Sequence, residues 1–133
     1  MSNQEVRVPG WPQPKGYANG RVASGRSIHV AGQIGWDEHG TMLSGMVAQF
    51  AKALDNVITV VRTAGGAPED IAMMTIFVTD LPAYRSGVRE IGAAWRERLG
   101  KHFPAITMVE VKALLEPQAL VEVQATAYVG GEP

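Results

Sequence analysis

Cysteine is absent from the 133 residues. That excludes a disulfide framework, a thiolate nucleophile and a thiolate metal site. An excess of one charge is lacking too: 12 basic and 13 acidic residues leave a formal net charge of -1. Nucleic-acid binders carry a basic stripe or patch, so no nucleic-acid partner is expected. No apolar run approaches the roughly 20 residues needed to cross a bilayer. The opening MSNQEVRVPGW has no apolar core of the signal-peptide kind, so a cytoplasmic location is expected and a membrane is not. His29, His39 and His102 fall in separate predicted elements without metal-ligand spacing, and no metal or other cofactor is expected. No serine lies in a Gly-x-Ser-x-Gly elbow, and Gly65-Gly66-Ala67 lacks the lysine of a phosphate loop. The three tryptophans read as packing groups rather than platforms for stacked bases.

What is present is ordinary globular material, 46% hydrophobic and 19% charged, enough for one domain spanning 1–133. Val6 to Val8 reads as a short edge strand before Pro9 and Pro12. Arg21–Ala23 and Ser27–Ile34 read as a hairpin joined through Ser24-Gly25-Arg26. Ser44–Ala64 is the first long helix. Val47, Phe50, Ala51, Leu54, Val57, Ile58 and Val61 recur at spacings of three and four, with Ser44 as N-cap and Gly65-Gly66 as the stop. Gln49 and Asn56, seven residues apart, read as solvated exceptions to the stripe. Ile71–Val78 is a strand apolar enough to be buried on both faces. A second helix opens at Asp80-Leu81-Pro82 and ends at Gly100. Its stripe is Tyr84, Val88, Ile91, Trp95 and Leu99. Its wet side carries Arg85, Arg89, Arg96 and Arg98 with Glu90 and Glu97.

Phe103–Tyr128 then supplies two strands broken at Glu116-Pro117-Gln118. Side chains alternate faces along a strand. In the second, Val121, Val123, Ala125, Ala127 and Val129 share one face, and Leu120, Glu122, Gln124, Thr126 and Tyr128 the other. In the first, Thr107, Val109, Val111 and Ala113 form the apolar face expected under the helices. Ile106, Met108, Glu110 and Lys112 form the mixed one. The order predicts an α+β domain, a mixed sheet with two helices on one side. Its open face, expected to carry Ile106, Met108 and Leu120, suggests association with further copies.

One combination of motifs is specific. Ala31-Gly32-Gln33-Ile34 follows the hairpin. Gln49 and Asn56 lie on the first helix, and Phe77-Val78-Thr79-Asp80 closes the next strand. Phe103-Pro104-Ala105 and Leu120-Val121-Glu122-Val123-Gln124-Ala125 with Ala127 complete it. In order and spacing, from about Gly16 to Tyr128, the chain resembles the Rid family, the reactive intermediate deaminases, also called YjgF-like. The resemblance implies a chorismate-mutase-like fold and a homotrimer, with sheets forming an inner barrel-like layer and clefts between subunits. It implies hydrolysis of a small-molecule enamine or imine to a ketoacid and ammonia, without a cofactor. Some relatives have been described as ribonucleases or translation inhibitors, for which this chain lacks the basic stripe.

Carried over position by position, the resemblance makes Glu122 the carboxylate that positions or activates water. Tyr17 matches the pocket tyrosine, with Ala18-Asn19 in place of Ser-Gln. Gly32 and Gln33 match the backbone wall. The family's Pro-Ala-Arg-Ser corresponds to Pro104-Ala105-Ile106-Thr107, so Ala105, Ile106, Thr107 and Met108 are the expected substrate-binding run. Here the chain departs from the pattern. The arginine that clamps the substrate carboxylate is Ile106, the small thiol is Met108, and the second helix's asparagine has no match near Val88. An aliphatic side chain makes no two-pronged bond to a carboxylate. The resemblance therefore implies a hydrolase for an imine other than 2-aminoacrylate, or a binding or regulatory module that keeps the cleft without the chemistry.

Overall fold

In the computed structural model, which describes residues 3–131, six strands and three helices alternate along the chain. In order they are β1 (Asn3–Val6), β2 (Gly20–Ala23), β3 (Gly25–Gln33), α1 (Met46–Thr63), β4 (Ile71–Val78), α2 (Leu81–Ser86), α3 (Val88–Leu99), β5 (Ala105–Glu110) and β6 (Val121–Gly130). The ends of the expected domain, 1–2 and 132–133, lie outside the described residues. The main sheet runs β3-β6-β4-β5. β6 is antiparallel to β3 and β4, and β4 is parallel to β5. The helices connect β3 to β4 and β4 to β5 and cover one face. This is the expected mixed α+β architecture. Among the described residues no helix is long and apolar enough to cross a membrane.

The core lies between that face and α1. Ile28 and Val30 of β3, Met74, Ile76 and Val78 of β4, and Val121, Val123 and Ala125 of β6 meet Phe50, Leu54, Val57 and Val61, all buried. Each of the larger of these side chains contributes about 1.5–3 kcal/mol by leaving water. Gly65, with φ +94°, closes α1: Gly66 N–H donates to Val61 O at 2.9 Å and Gly65 N–H to Arg62 O at 3.0 Å. This paired return satisfies carbonyls the helix end would leave open.

Several expectations are corrected. β2 pairs with β1, from Asn3↔Ala23 to Val6↔Gly20, and not with β3. Only Ser24 separates β2 from β3, and one residue is too few to reverse a chain. The strand instead bends at Gly25 (φ +120°), where a Cβ would sit 2.3 Å from Val129 O. β1 also ends at Val6, so Val8 lies beyond it. Helix α1 is entered through Gly45 (φ +89°), without a side-chain cap, so Ser44 is not the N-cap. β4 is buried on one face only, since Met73 is 53% exposed while Met74, Ile76 and Val78 are buried. The second helix is two, because Gly87 breaks it: a Cβ there would stand 2.7 Å from Val47 Cγ2 of α1. Val88, just past the break, is exposed. Arg98 leaves the wet side and makes a two-pronged pair with Asp55 of α1, at 2.7 and 3.3 Å.

Candidate functional site

Strand β5 divides the expected site. Its register places Ile106 opposite Met74 and Met108 opposite Ile76, both buried residues of β4. Ile106 and Met108 therefore face the helices, the reverse of the expectation. Leu120 also packs against the core rather than lying on the open face. Thr107 and Val109 pair with Thr75 and Phe77 and take the open face instead. The pattern Ile-Thr-Met-Val carries apolar side chains on both faces, so hydrophobicity alone did not orient it. Glu110 lies with Ile106 and Met108, and its Oε2 accepts from Leu81 N–H at 2.9 Å. With Asp80, which accepts from Ala83 N–H at 3.0 Å, it caps the start of α2. A carboxylate there complements the helix N-terminus.

Glu122 occupies the other face. It is opposite Phe77 across β4–β6, on the side away from the helices, and half-buried. Three steps along β3 from Val30 to Gln33 match two along β6 from Ala125 to Val123, so one extra residue forms a bulge at Ala31-Gly32. Bulges re-aim neighbouring groups. This one lays Gly32 under the carboxylate: a Cβ on Gly32 would stand 2.2 Å from Glu122 Oε2 and 2.7 Å from its Cδ. Gln33, next along, donates from Nε2 to Ala31 O at 3.0 Å and holds the bulge. Gly32 and Glu122 thus form one constellation, with Gln33 next along the strand but in register with Val123 rather than with Glu122.

Ile106 and Met108 belong to another. Ala105, opposite Met73, shares the open-face parity of Thr107, and Tyr17 lines a separate groove with Arg21, His102 and Phe103. Ala18 N–H donates to Pro104 O at 2.9 Å, and Ala18 bridges to Ala105, pinning the Tyr17 loop to the start of β5. The entry to β5 is held from below. Trp95 Nε1–H donates to His102 O at 3.2 Å, His102 Nε2 lies 2.7 Å from Ile71 O, and Arg21 donates to Phe103 O at 3.1 Å. Burial holds the His102 imidazole below its usual range, with Arg21 adding to the effect. Because a carbonyl oxygen only accepts, Nε2 is the donor to Ile71 O. Between β5 and α2–α3 opens a cavity of about 400 Å³ whose walls include Ile106, Met108, Phe50, Ile91 and Trp95. Tyr84 also lines it, its phenol pKa raised by burial.

Ile106 and Glu122 are on opposite faces of the sheet, so one chain does not bring them together. Among the described residues no group of three or more acidic or imidazole side chains converges to hold a metal ion.

The expected solvation of Gln49 is overturned, while Asn56 is half-buried and tied to the loop. Gln49 is 3% exposed. Its Nε2 donates to Leu43 O (3.0 Å) and Gln118 O (3.1 Å), and its Oε1 accepts from Leu120 N–H (2.8 Å). Asn56 Nδ2 donates to Ile34 O and Trp36 O, at 2.9 and 3.0 Å. Buried loop groups need partners, and these two amides supply them where β3 ends and β6 begins. The signal was an amide interrupting an otherwise apolar stripe. Gly92, Lys15 and Lys101 also line the cavity without any sequence signal, and so does Arg96, expected only on the second helix's wet side, because loop and helix approach one another only in the fold.

Comparison with known proteins agrees with this architecture. The family model described as Endoribonuclease L-PSP matches residues 12–129. The Rid-family protein YyfB of Yersinia pestis is similar over 97% of this chain and 100% of its own, at 27% identity and TM-score 0.84. The YjgF gene product of E. coli is 30% identical, covers 96% of this chain and 99% of its own, and has a TM-score of 0.68. TdcF of E. coli, solved with bound serine, is 26% identical over 96% of this chain and 99% of its own, with a TM-score of 0.69. By model match, sequence and backbone alike, the chain belongs to the Rid, or YjgF-like, family.

Proposed function

We propose that the chain is an imine or enamine hydrolase that releases ammonia, working in clefts between the copies of a homotrimer. The observation that carries this reading is Glu122 laid over Gly32, where any side chain would displace it. A carboxylate so placed accepts a proton from water as the oxygen attacks the iminium carbon. The C–O bond forms and the C=N π electrons return to nitrogen. Glu122 passes its proton to that nitrogen, the C–N bond breaks as the oxygen lone pair closes the C=O bond, and the hydroxyl proton returns to Glu122 and from there to solvent. The products are a carbonyl compound and ammonia. Gly32 and Gln33 wall this half of the site. The substrate-binding half is Ile106 and Met108, with Tyr17 at the entry to β5 and Ala105 and Thr107 at the rim of the open face. Because the halves lie on opposite faces, a complete site needs Glu122 from one copy and β5 from another. The relative TdcF holds serine, a ligand of the size such a cleft admits. A near-neutral chain, with net charge -1, offers RNA phosphates little, so ribonuclease activity is not favoured.

The trimer answers a physical need. The open face carries Met73, 53% exposed, and Val109, 40% exposed, in line with Phe77 and Thr107. An uncovered apolar face of this kind marks an association surface. Light scattering is expected to give three times the 14.3 kDa chain mass. A monomer at micromolar concentration would remove the shared site.

Substrate range tests the other half. With an aliphatic residue at 106, 2-aminoacrylate generated by a dehydratase is expected to be a poor substrate, read as pyruvate released. Ile106→Arg is expected to raise that turnover about 10-fold or more, since one charge-assisted hydrogen bond contributes roughly 1.5–3 kcal/mol. Equal rates for parent and variant would show that position 106 does not read the carboxylate. A panel of imines made with amino-acid oxidases tests the reaction itself, and decay of all of them at the uncatalysed rate would overturn the hydrolase reading.

A further inference from the structure

The cavity behind β5 has an uneven lining. Its depth is apolar, with Ile106, Met108 and Trp95, and Trp95 is backed by Phe103 stacked at 5.8 Å between ring centroids. Its mouth carries three cations, Lys15 from the loop before Tyr17, Arg96 from α3 and Lys101 just beyond it, and no carboxylate lines it. Among the described residues none of the three forms a salt bridge, whereas Arg98, two residues from Arg96, is paired with Asp55. Cations gathered at the lip of an apolar cleft focus the field there and favour an anion.

Gly92 is an independent observation. Glycine inside a helix is unfavourable, and here neither backbone nor packing demands it. It has no positive φ, and the only heavy atom near an added Cβ is Arg96 Nη1 at 3.4 Å. A side chain at 92 would project into the cavity. The glycine keeps open a space of about 400 Å³, within the roughly 300–1,000 Å³ typical of small-molecule sites.

We propose that this cavity binds an apolar monocarboxylate, its alkyl or aryl body against Ile106, Met108 and Trp95 and its carboxylate among Arg96, Lys101 and Lys15, with Gly92 setting the length admitted. The charge absent from position 106 is thereby supplied from α3 and its flanks. The proposal rests on the hydrolase reading only for the idea that such a ligand is also turned over; binding itself is separate.

Calorimetric titration of the intact protein with phenylbutyrate, phenylbutanol and acetate tests it. Phenylbutyrate is expected to bind about tenfold or more tightly than the alcohol, the change associated with one charge-assisted hydrogen bond, and acetate is expected not to bind measurably. Arg96→Gln is expected to remove that advantage while leaving the alcohol's affinity in place. Gly92→Leu is expected to abolish binding of both, with an unchanged or raised melting temperature. If Gly92→Leu fails to fold, Arg96→Gln decides. Equal binding of acid and alcohol by the parent, no saturable binding of phenylbutyrate, or an Arg96→Gln variant that keeps the preference overturns the proposal. Binding of phenylbutyrate without turnover of any imine leaves it standing and removes the hydrolase reading. Imine turnover by a protein that does not bind phenylbutyrate does the reverse.

Discussion

Glu122→Gln is expected to lower imine turnover by about 10²- to 10⁴-fold, the usual contribution of a positioned acid–base group, while leaving fold and assembly intact. Glutamine has nearly the shape of glutamate, so the packing over Gly32 is kept, but its amide cannot take a proton from water. The loss belongs in kcat, measured by ammonia release from an oxidase-generated imine. Glu110→Gln is the matched control. Glu110 lies on the helix face and caps α2 through Leu81 N–H, so its replacement touches a helix end and not the reacting water. Gly32→Ala reaches Glu122 from the other side, because the added Cβ lands 2.2 Å from Oε2 and must push the carboxylate away. Turnover by Glu122→Gln equal to the parent would remove this carboxylate from the mechanism. Equal losses from Glu110→Gln and Glu122→Gln would point to stability as the common cause.

The second large effect is thermodynamic. Gln49→Leu is expected to destabilise the fold by about 3 to 5 kcal/mol, since each buried group left without a partner costs roughly 1–3 kcal/mol. Leucine fills similar space, so little cavity cost enters. What is lost is the partner for Leu43 O, Gln118 O and Leu120 N–H together. Small domains have about 5–15 kcal/mol in hand, so the urea midpoint should fall visibly at an unchanged slope. The neighbouring backbone has no room to compensate: a Cβ on Gly35 would already stand 2.5 Å from Gln49 Cα. A variant within 1 kcal/mol of the parent would mean that water replaces the amide at low cost.

Much of this was legible in the sequence, and the failures share a cause. Period and punctuation located α1, β4 and β6, because long amphipathic or apolar runs commit to one structure. The alternation Val121, Val123, Ala125, Ala127 correctly turned Glu122 away from the helices, since one set was uniformly apolar and the other was not. In β5 both sets contained large apolar side chains, and the faces were assigned the wrong way round. The missing information was the strand's neighbour: only its pairing with β4 sets Ile106 beside Met74. The hairpin expectation failed for the same reason, since β2's partner, β1, lies far back along the chain. Gln49 and Asn56 were visible as interruptions, but the groups they serve come from loops that converge only on folding. Gly32 and Glu122, 90 residues apart, were linked by family likeness; their contact through a bulge was not predictable from spacing.

The alternation of β5 gives its side chains two different surroundings. Even positions, 106 and 108, present themselves to the cavity behind the sheet, and odd positions, 107 and 109, to whatever covers the sheet in front. Substitutions at one parity can therefore reshape ligand choice while those at the other reshape association, and the two sets can drift almost independently. A lineage could change what its members accept without disturbing how they assemble, one residue at a time, along six consecutive positions of a single edge strand.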